Sequence, residues 1–370
     1  MTRHSLHRDI TALIGQWHAG APIDPARVDA LLIALFRHQF QHIAAYAAFC
    51  QLRGVRPNAV TDWRQIPLVP VSAFQLAALG TADAQTLPAA TFHTSGTTTG
   101  RPGIVRLLDT TLYDRAAQAA FAHWVLPDRP QSMRVVALLP GPELRPFSSL
   151  GHMVAHIAAP FGGPQWLWHR EDHPDVSAFI TVCQNAVADQ VPLLICATTL
   201  ALAVLQAQLP ADFAIALPPG SRLMDTGGPK GRTLTVDRPA QHAWLTRTLG
   251  LAADHLVGEF GMTELGSQRY EAVLRATVVG GEAADGYAGP PWLRSRVLAM
   301  KPGQPALDDC PTGVQGLVGH LDLANLDTCA FVQTADLGAL DHAGHLTLHG
   351  RLPGSELRGC GLDAEELGLD

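Results

Sequence analysis

From Val28 to Phe49 apolar positions recur three and four residues apart, with Leu31, Leu32, Leu35, Phe36, Phe40 and Ile43 on one stripe. That period predicts an amphipathic helix. Asp24-Pro25 ahead of it offers an acceptor for the first free amides and a proline where a missing N–H costs nothing. Ile66-Pro67-Leu68-Val69-Pro70 predicts an extended, proline-punctuated connector. Short apolar runs at 135–139, 193–196 and 256–257 read as buried strands, with helix-like stretches at 112–124, 176–187 and 199–209. Strands alternating with helices predict an α/β fold with mostly parallel sheets.

Two stretches need separate treatment. Val191 to Leu209 is apolar for nearly the length of a membrane span. Pro192 and Thr198-Thr199 interrupt it, which favours a buried strand followed by a capped helix and predicts no membrane span. From Gly280 to Gly350 glycine and proline are frequent and apolar runs are short, predicting a smaller antiparallel, β-rich section.

Composition narrows the function. Of 370 residues 47% are hydrophobic and 16% charged, which suits a large core and opposes disorder. The net charge of −7 gives no basic excess to displace counterions, so a nucleic-acid partner is not expected. Six scattered cysteines without a CxxC pair predict free thiols in a reducing cytoplasm. Arg3, His4, His7, Arg8 and Asp9 near the start do not suit a signal peptide. Lysine occurs only at Lys230 and Lys301.

The clearest chemistry lies at Thr94 to Gly103, where five hydroxyls and three glycines fill ten positions. Glycines let backbone amides turn toward an anion, and hydroxyls add donors without bulk. Thr94, Ser95, Gly96, Thr97, Thr98, Thr99 and Gly100 therefore read as a phosphate-binding loop, against the plainer alternative of a solvated turn. It is not a P-loop, which needs Gly-Lys followed by Ser or Thr, and no dinucleotide glycine fingerprint opens a strand–helix unit.

The loop resembles the phosphate signature of the adenylate-forming superfamily, which includes acyl-CoA ligases, luciferases and peptide-synthetase adenylation domains. Gly103 departs from the lysine or arginine that often follows the proline there. Three further blocks follow in the superfamily's order. Asp225 to Gly231, with Gly227 and Gly228, is similar to the segment lining the adenine side. Glu259-Phe260-Gly261-Met262-Thr263-Glu264 resembles the motif whose threonine meets the α-phosphate and whose glutamate helps hold Mg²⁺. Oxygen ligands suit that hard cation; outside this block Glu264 would read as a surface carboxylate. Thr334 to Gly338 is similar to the motif whose aspartate, here Asp336, accepts the ribose hydroxyls, with Ala335 in place of a glycine. Gly350-Arg351 resembles the hinge whose arginine reaches ribose or phosphate. The resemblance also puts His152 and Gly261 at the acid pocket, with a plain core histidine as the alternative for His152.

Within the superfamily, Gly261 to Tyr270 and Gly354 to Cys360 resemble the acyl-protein synthetases, including the synthetase of the bioluminescence fatty-acid reductase complex. The resemblance implies ATP-dependent activation of a carboxylic acid, fatty in the family, as acyl-AMP. It then implies acyl transfer to a thiol, here Cys360, and on to a reductase or carrier partner. Cys360 lies between two glycines and close to Arg358, a cation that favours the nucleophilic thiolate; an ordinary small thiol in a turn is the alternative. Superfamily chains usually continue into a small domain whose lysine stabilises developing charge. That domain is expected to be absent here, and Lys230 with Arg351 is expected to replace it.

The implied organisation is an adenylation domain over 1–349, with its β-rich section at about 280–349, and a hinge-like tail over 350–370. A ligase delivering to coenzyme A or a carrier protein is one alternative. A non-catalytic acyl- or nucleotide-binding scaffold in a biosynthetic complex is another.

Overall fold

The computed structural model describes residues 1–81, 86–94, 102–169, 173–227, 237–281, 283, 285–300 and 308–352. They fall into two compact units, and the chain passes between them repeatedly. One unit takes Met1–Ala120, Met262–Arg269 and the described chain from Asp285 to Leu352; the other takes Phe121–Gly261 and the segment from Tyr270.

The first unit opens with helices α1 (Arg3–His18), α2 (Pro25–His42) and α3 (Ala44–Leu52). The Asp24 carboxylate accepts from the Ala26 amide and Pro25 starts α2, as the sequence predicts. The apolar stripe does not continue as one helix. Ile43 takes an extended conformation (φ −113°, ψ 94°), buries its side chain, and lets α3 start in a new direction. The connector becomes strand β1 (Val69–Pro70), followed by a short helix α4 (Ala73–Leu76) and the hairpin β2 (Ala90–His93) and β3 (Ile104–Leu107). The chain leaves the unit along helix α5 (Thr111–Trp124).

The C-terminal strands of this unit are β10 (Tyr287–Ala288), β11 (Leu293–Leu298), β12 (Gly316–Asp322), β13 (Phe331–Leu340) and β14 (Leu346–Arg351). They pair antiparallel in the order β11-β12-β13-β14-β10, while β1 runs parallel against the start of β13. The β-rich section is therefore no separate module: it shares a core with the N-terminal helices. Phe331 of β13 packs its ring 6.1 Å from Phe36 of α2 and 5.6 Å from Tyr46 of α3. Trp17 meets the fully buried Trp292 edge-on.

The second unit holds β4 (Arg134–Leu138), helix α6 (Ser149–Ala158), β5 (Gln165–Trp166), α7 (Val176–Asp189), β6 (Leu193–Thr198), α8 (Thr199–Gln208), β7 (Arg222–Thr226), α9 (Arg238–Leu249) and β8 (Leu256–Phe260). Its sheet is parallel in the order β5-β4-β6-β7-β8, followed by the short β9 (Arg269–Glu271); helix α10 (Val273–Val279) comes next in the chain. The core is aliphatic, with Ile195, Leu202, Leu223, Leu245 and Leu256 under Phe179 and Cys183. Val191 to Leu209 is the buried strand β6 followed by α8, whose first turn is capped by the Thr198 hydroxyl accepting from Ala201 N. Among the described residues no helix is long and apolar enough to cross a membrane.

Candidate functional site

Each unit carries part of the expected set. In the first, Thr94 closes the base of the loop it begins. Its amide donates to Gly103 O at 2.9 Å, and Gly103 N donates back to Thr94 Oγ1 at 2.8 Å. This reciprocal pair extends the β2–β3 hairpin by one step and fixes both ends of the segment between them. It also explains glycine at 103: an added Cβ would lie 2.9 Å from Thr94 Oγ1 and 3.2 Å from the Phe74 backbone. Ser95, Gly96, Thr97, Thr98, Thr99 and Gly100 lie outside the described residues, as do Gly228, Lys230 and Cys360.

Asp336 and Arg351 face each other as register partners across β13 and β14. Arg351 Nε donates to Asp336 Oδ1 at 2.8 Å, and both side chains are mostly buried. The turn of backbone before Asp336 is held by Thr334, whose hydroxyl accepts from Asp336 N at 3.0 Å and donates to Val318 O. Thr263 and Glu264, the expected phosphate and metal residues, are both buried. They sit on Met262–Arg269, a segment of the first unit whose flanking chain on both sides belongs to the second.

In the second unit, the carboxyl ends of β6, β7 and β8 stand side by side, the edge at which open parallel sheets bind ligands. Thr226 and Glu259 are register partners there, and the Thr226 hydroxyl donates to Glu259 Oε2. The Thr199 hydroxyl donates to the carbonyl oxygen of Gly227. Gly261 follows β8 directly. His152 lies in α6, partly exposed, its ring stacked 4.4 Å from that of His156 one turn on.

Sequence reasoning missed the charge network beneath this edge. Arg238, the first residue of α9, grips two carboxylates with its guanidinium fork: Asp225 at 3.0 Å and Glu271 at 2.6 Å. Glu271 in turn accepts from Gly258 N at 2.8 Å, and His242 lies 3.6 Å from Asp225. Burial opposes ionisation of Asp225, but the nearby His242, with the hydrogen bonds and charge of Arg238, outweighs it and holds the carboxyl below its ordinary range. For Arg238, burial opposes the charge while Glu271 and Asp225 raise its pKa. The network fixes β7 against β8, and so the spacing of Gly227 from Glu259. Its one sequence signal was an acid, Asp225, at the buried end of an apolar strand.

Residues 24–140 match the family described as acyl-protein synthetase, LuxE. No curated protein sequence matches the chain. Among solved structures, 2-hydroxyisobutyryl-CoA ligase in an open conformation with 2-HIB-AMP and CoA is similar at TM-score 0.59 and 13% identity, over 89% of this chain and 71% of that one. The same ligase in its thioesterification state gives TM-score 0.59 and 15% identity, over 90% and 68%. O-succinylbenzoate coenzyme A synthetase from Bacillus subtilis, in complex with AMP, is similar over 72% of this chain and 50% of that one, at 20% identity and TM-score 0.45. This chain thus spans half the length of that synthetase. Residues 24–140 are thus similar to the acyl-protein synthetase family, and the chain has the fold of 2-hydroxyisobutyryl-CoA ligase.

Proposed function

We propose that this chain is an ATP-dependent acyl-protein synthetase. A carboxylate oxygen of the acid attacks the α-phosphorus of ATP, the bond to the bridging oxygen breaks, and pyrophosphate leaves behind an acyl-AMP. The Cys360 thiolate then attacks the acyl carbon and displaces AMP, giving a thioester that passes to a reductase or carrier protein. The need for ATP and a free thiol fits a cytoplasmic setting. The observation that carries the reading is the paired Asp336 and Arg351: a carboxylate that accepts, oriented by a guanidinium that also donates, suits the hydroxyls of a ribose.

Other roles follow from the same chemistry. The Thr94 to Gly100 loop offers amides and hydroxyls to the β- and γ-phosphates, and Thr263 a hydroxyl to the α-phosphate. Glu264 and Thr263 present hard oxygen donors from one buried turn, which fits Mg²⁺. Bound there, the ion would neutralise charge developing on the phosphates. Gly227, Gly228 and Glu259 are assigned to the adenine side, and His152 and Gly261 to the acid. Lys230, with Arg351, is assigned to the charge that develops on the acyl oxygen and α-phosphate.

A second reading has the acyl group delivered to coenzyme A. The fold shared with a ligase bound to 2-HIB-AMP and CoA favours considering it. Incubation with labelled acid and MgATP, without added thiol, separates the two. A hydroxylamine-sensitive protein adduct that disappears in Cys360→Ser supports the first; adenylate formed without an adduct, and thioester only when coenzyme A is added, supports the second. A non-catalytic scaffold would show no acid-dependent exchange of pyrophosphate into ATP with any member of an acid panel.

A further inference from the structure

Thr263 and Glu264 ride on a segment that makes no strand or helix of its own before β9, so something else must hold its backbone. The hold comes from residues 322–330, the end of β12 and its connection to β13. Asn325 Nδ2 donates to the main-chain carbonyl oxygen of Glu264 at 2.6 Å, with both residues almost fully buried. One residue beyond, the backbone of Gly266 lies so close that a Cβ would stand 2.9 Å from Asn325 Oδ1 and from Ala324 Cβ. Ser267 Oγ donates to Asp322 Oδ1 at 2.8 Å, and Trp292 Nε1 donates to that same hydroxyl at 3.0 Å.

The connection is itself clamped from the far side. Gln39 Nε2, on α2, donates to the carbonyl oxygens of Asn325 and Thr328, each at 2.7 Å. Ala330 N returns a bond to Gln39 Oε1 at 2.9 Å. One buried amide side chain therefore shapes the turn, and a second, Asn325, transmits that shape to Glu264. The bond reaches the Glu264 main chain, so it fixes the backbone from which the carboxylate projects.

We propose that Asn325 is a positioning residue of the adenylation site, fixing the backbone of Glu264 so that the Thr263 hydroxyl and the Glu264 carboxylate meet MgATP in one geometry. This rests on the adenylation reading above. Asparagine suits the place because its amide donates to the carbonyl while its oxygen packs on Gly266. Aspartate would turn an acceptor toward the Glu264 oxygen, and alanine would leave that oxygen without its donor. Misplacement of reacting groups by about 1 Å can cost on the order of 100-fold in rate.

The test is acid-dependent pyrophosphate–ATP exchange by Asn325→Ala and Asn325→Asp, over a range of MgATP and of free Mg²⁺, at a temperature where circular dichroism shows each variant folded. The expected result is a fall in kcat of about 10- to 100-fold, an unchanged KM for the acid, a raised free Mg²⁺ requirement and, in calorimetric titration without acid, weaker binding of MgATP. Phe331→Leu, which loosens the same unit's core without touching Glu264, should lower the melting temperature and leave the Mg²⁺ requirement unmoved. If Asn325→Ala fails to fold, Asn325→Ser is read in the same way. Unchanged kcat and Mg²⁺ requirement in a folded variant overturn the proposal while adenylation stands. So does a Mg²⁺ shift that Phe331→Leu reproduces. Absence of exchange in the unsubstituted chain overturns the adenylation reading, and this proposal with it.

Discussion

Arg351 Nε donates to Asp336 Oδ1 across two antiparallel strands, so the two residues proposed to hold the ribose are built as one unit rather than as neighbours in sequence. Asp336→Asn keeps the shape and removes the charge that both the arginine and a ribose hydroxyl would use. It is expected to raise KM for ATP in the exchange assay about 10- to 100-fold, the worth of a hydrogen bond to a charged group. A KM for ATP equal to that of the unsubstituted chain would remove Asp336 from the nucleotide site.

Gly103 makes a prediction against intuition. Restoring the superfamily's basic residue with Gly103→Lys should harm the protein, because its Cβ must enter the contact between Thr94 Oγ1 and the Phe74 backbone. Gly103→Ala already creates that clash and is expected to cost about 1–3 kcal/mol in urea unfolding. Unaltered stability in both variants would show that the hairpin base can open without cost.

Acid stability should turn on buried imidazoles. Burial first, and then neighbouring positive groups, push His38 and His123 down to about 4 and His320 down to about 3. Each binds its proton more readily when unfolded, so its contribution is complete above about pH 6.5 and is lost as pH falls toward 4. Asp322 works in the opposite sense. Burial raises it to about 6, so its contribution is complete below its ordinary value of 3.8 and is lost as pH rises to 6. Urea midpoints measured from pH 7 to pH 4 should therefore decline, and Asp322→Asn should make the decline steeper. A shallower slope in that variant would contradict the assignment.

Arg238 holds two carboxylates that would otherwise repel each other at the end of the parallel sheet. Arg238→Ala should destabilise by about 2–4 kcal/mol, below the full cost of breaking a buried pair because the guanidinium is partly exposed. Arg238→Lys should recover only part of that, since an ammonium cannot reproduce a fork gripping both acids. Equal midpoints for the alanine and lysine variants would mean that charge contributes nothing there.

Much of the fold was legible because its signals are local. Asp24-Pro25 opens α2, and Pro192 with Thr198 resolves an apolar stretch into a strand and a capped helix. The break at Ile43 was not, since an apolar residue at helical spacing looks the same whether it continues the helix or ends it. Thr94 and Asp336 stood out by motif, and both have defined geometry. Asn325, Gln39 and Arg238 gave little or no sign. Their partners lie far off in sequence, and an asparagine, a glutamine or an arginine looks like surface until its burial is known. The β-rich section was predicted, but its shared core with α2 and α3 rests on contacts that no window of residues contains.

The interleaved course of the chain has a consequence for how the protein is made. Gln39 leaves the ribosome 289 residues ahead of the Thr328 carbonyl it will hold. The parallel strands β4 to β8 and the helices between them are complete before β11 to β14 emerge, and can close their core meanwhile. The N-terminal helices must wait with Phe36 and Tyr46 uncovered until Phe331 arrives, a long interval in which exposed apolar surface invites association with other chains. A nascent chain stalled before residue 285 is expected to be protease-resistant over its middle and a chaperone client at its beginning.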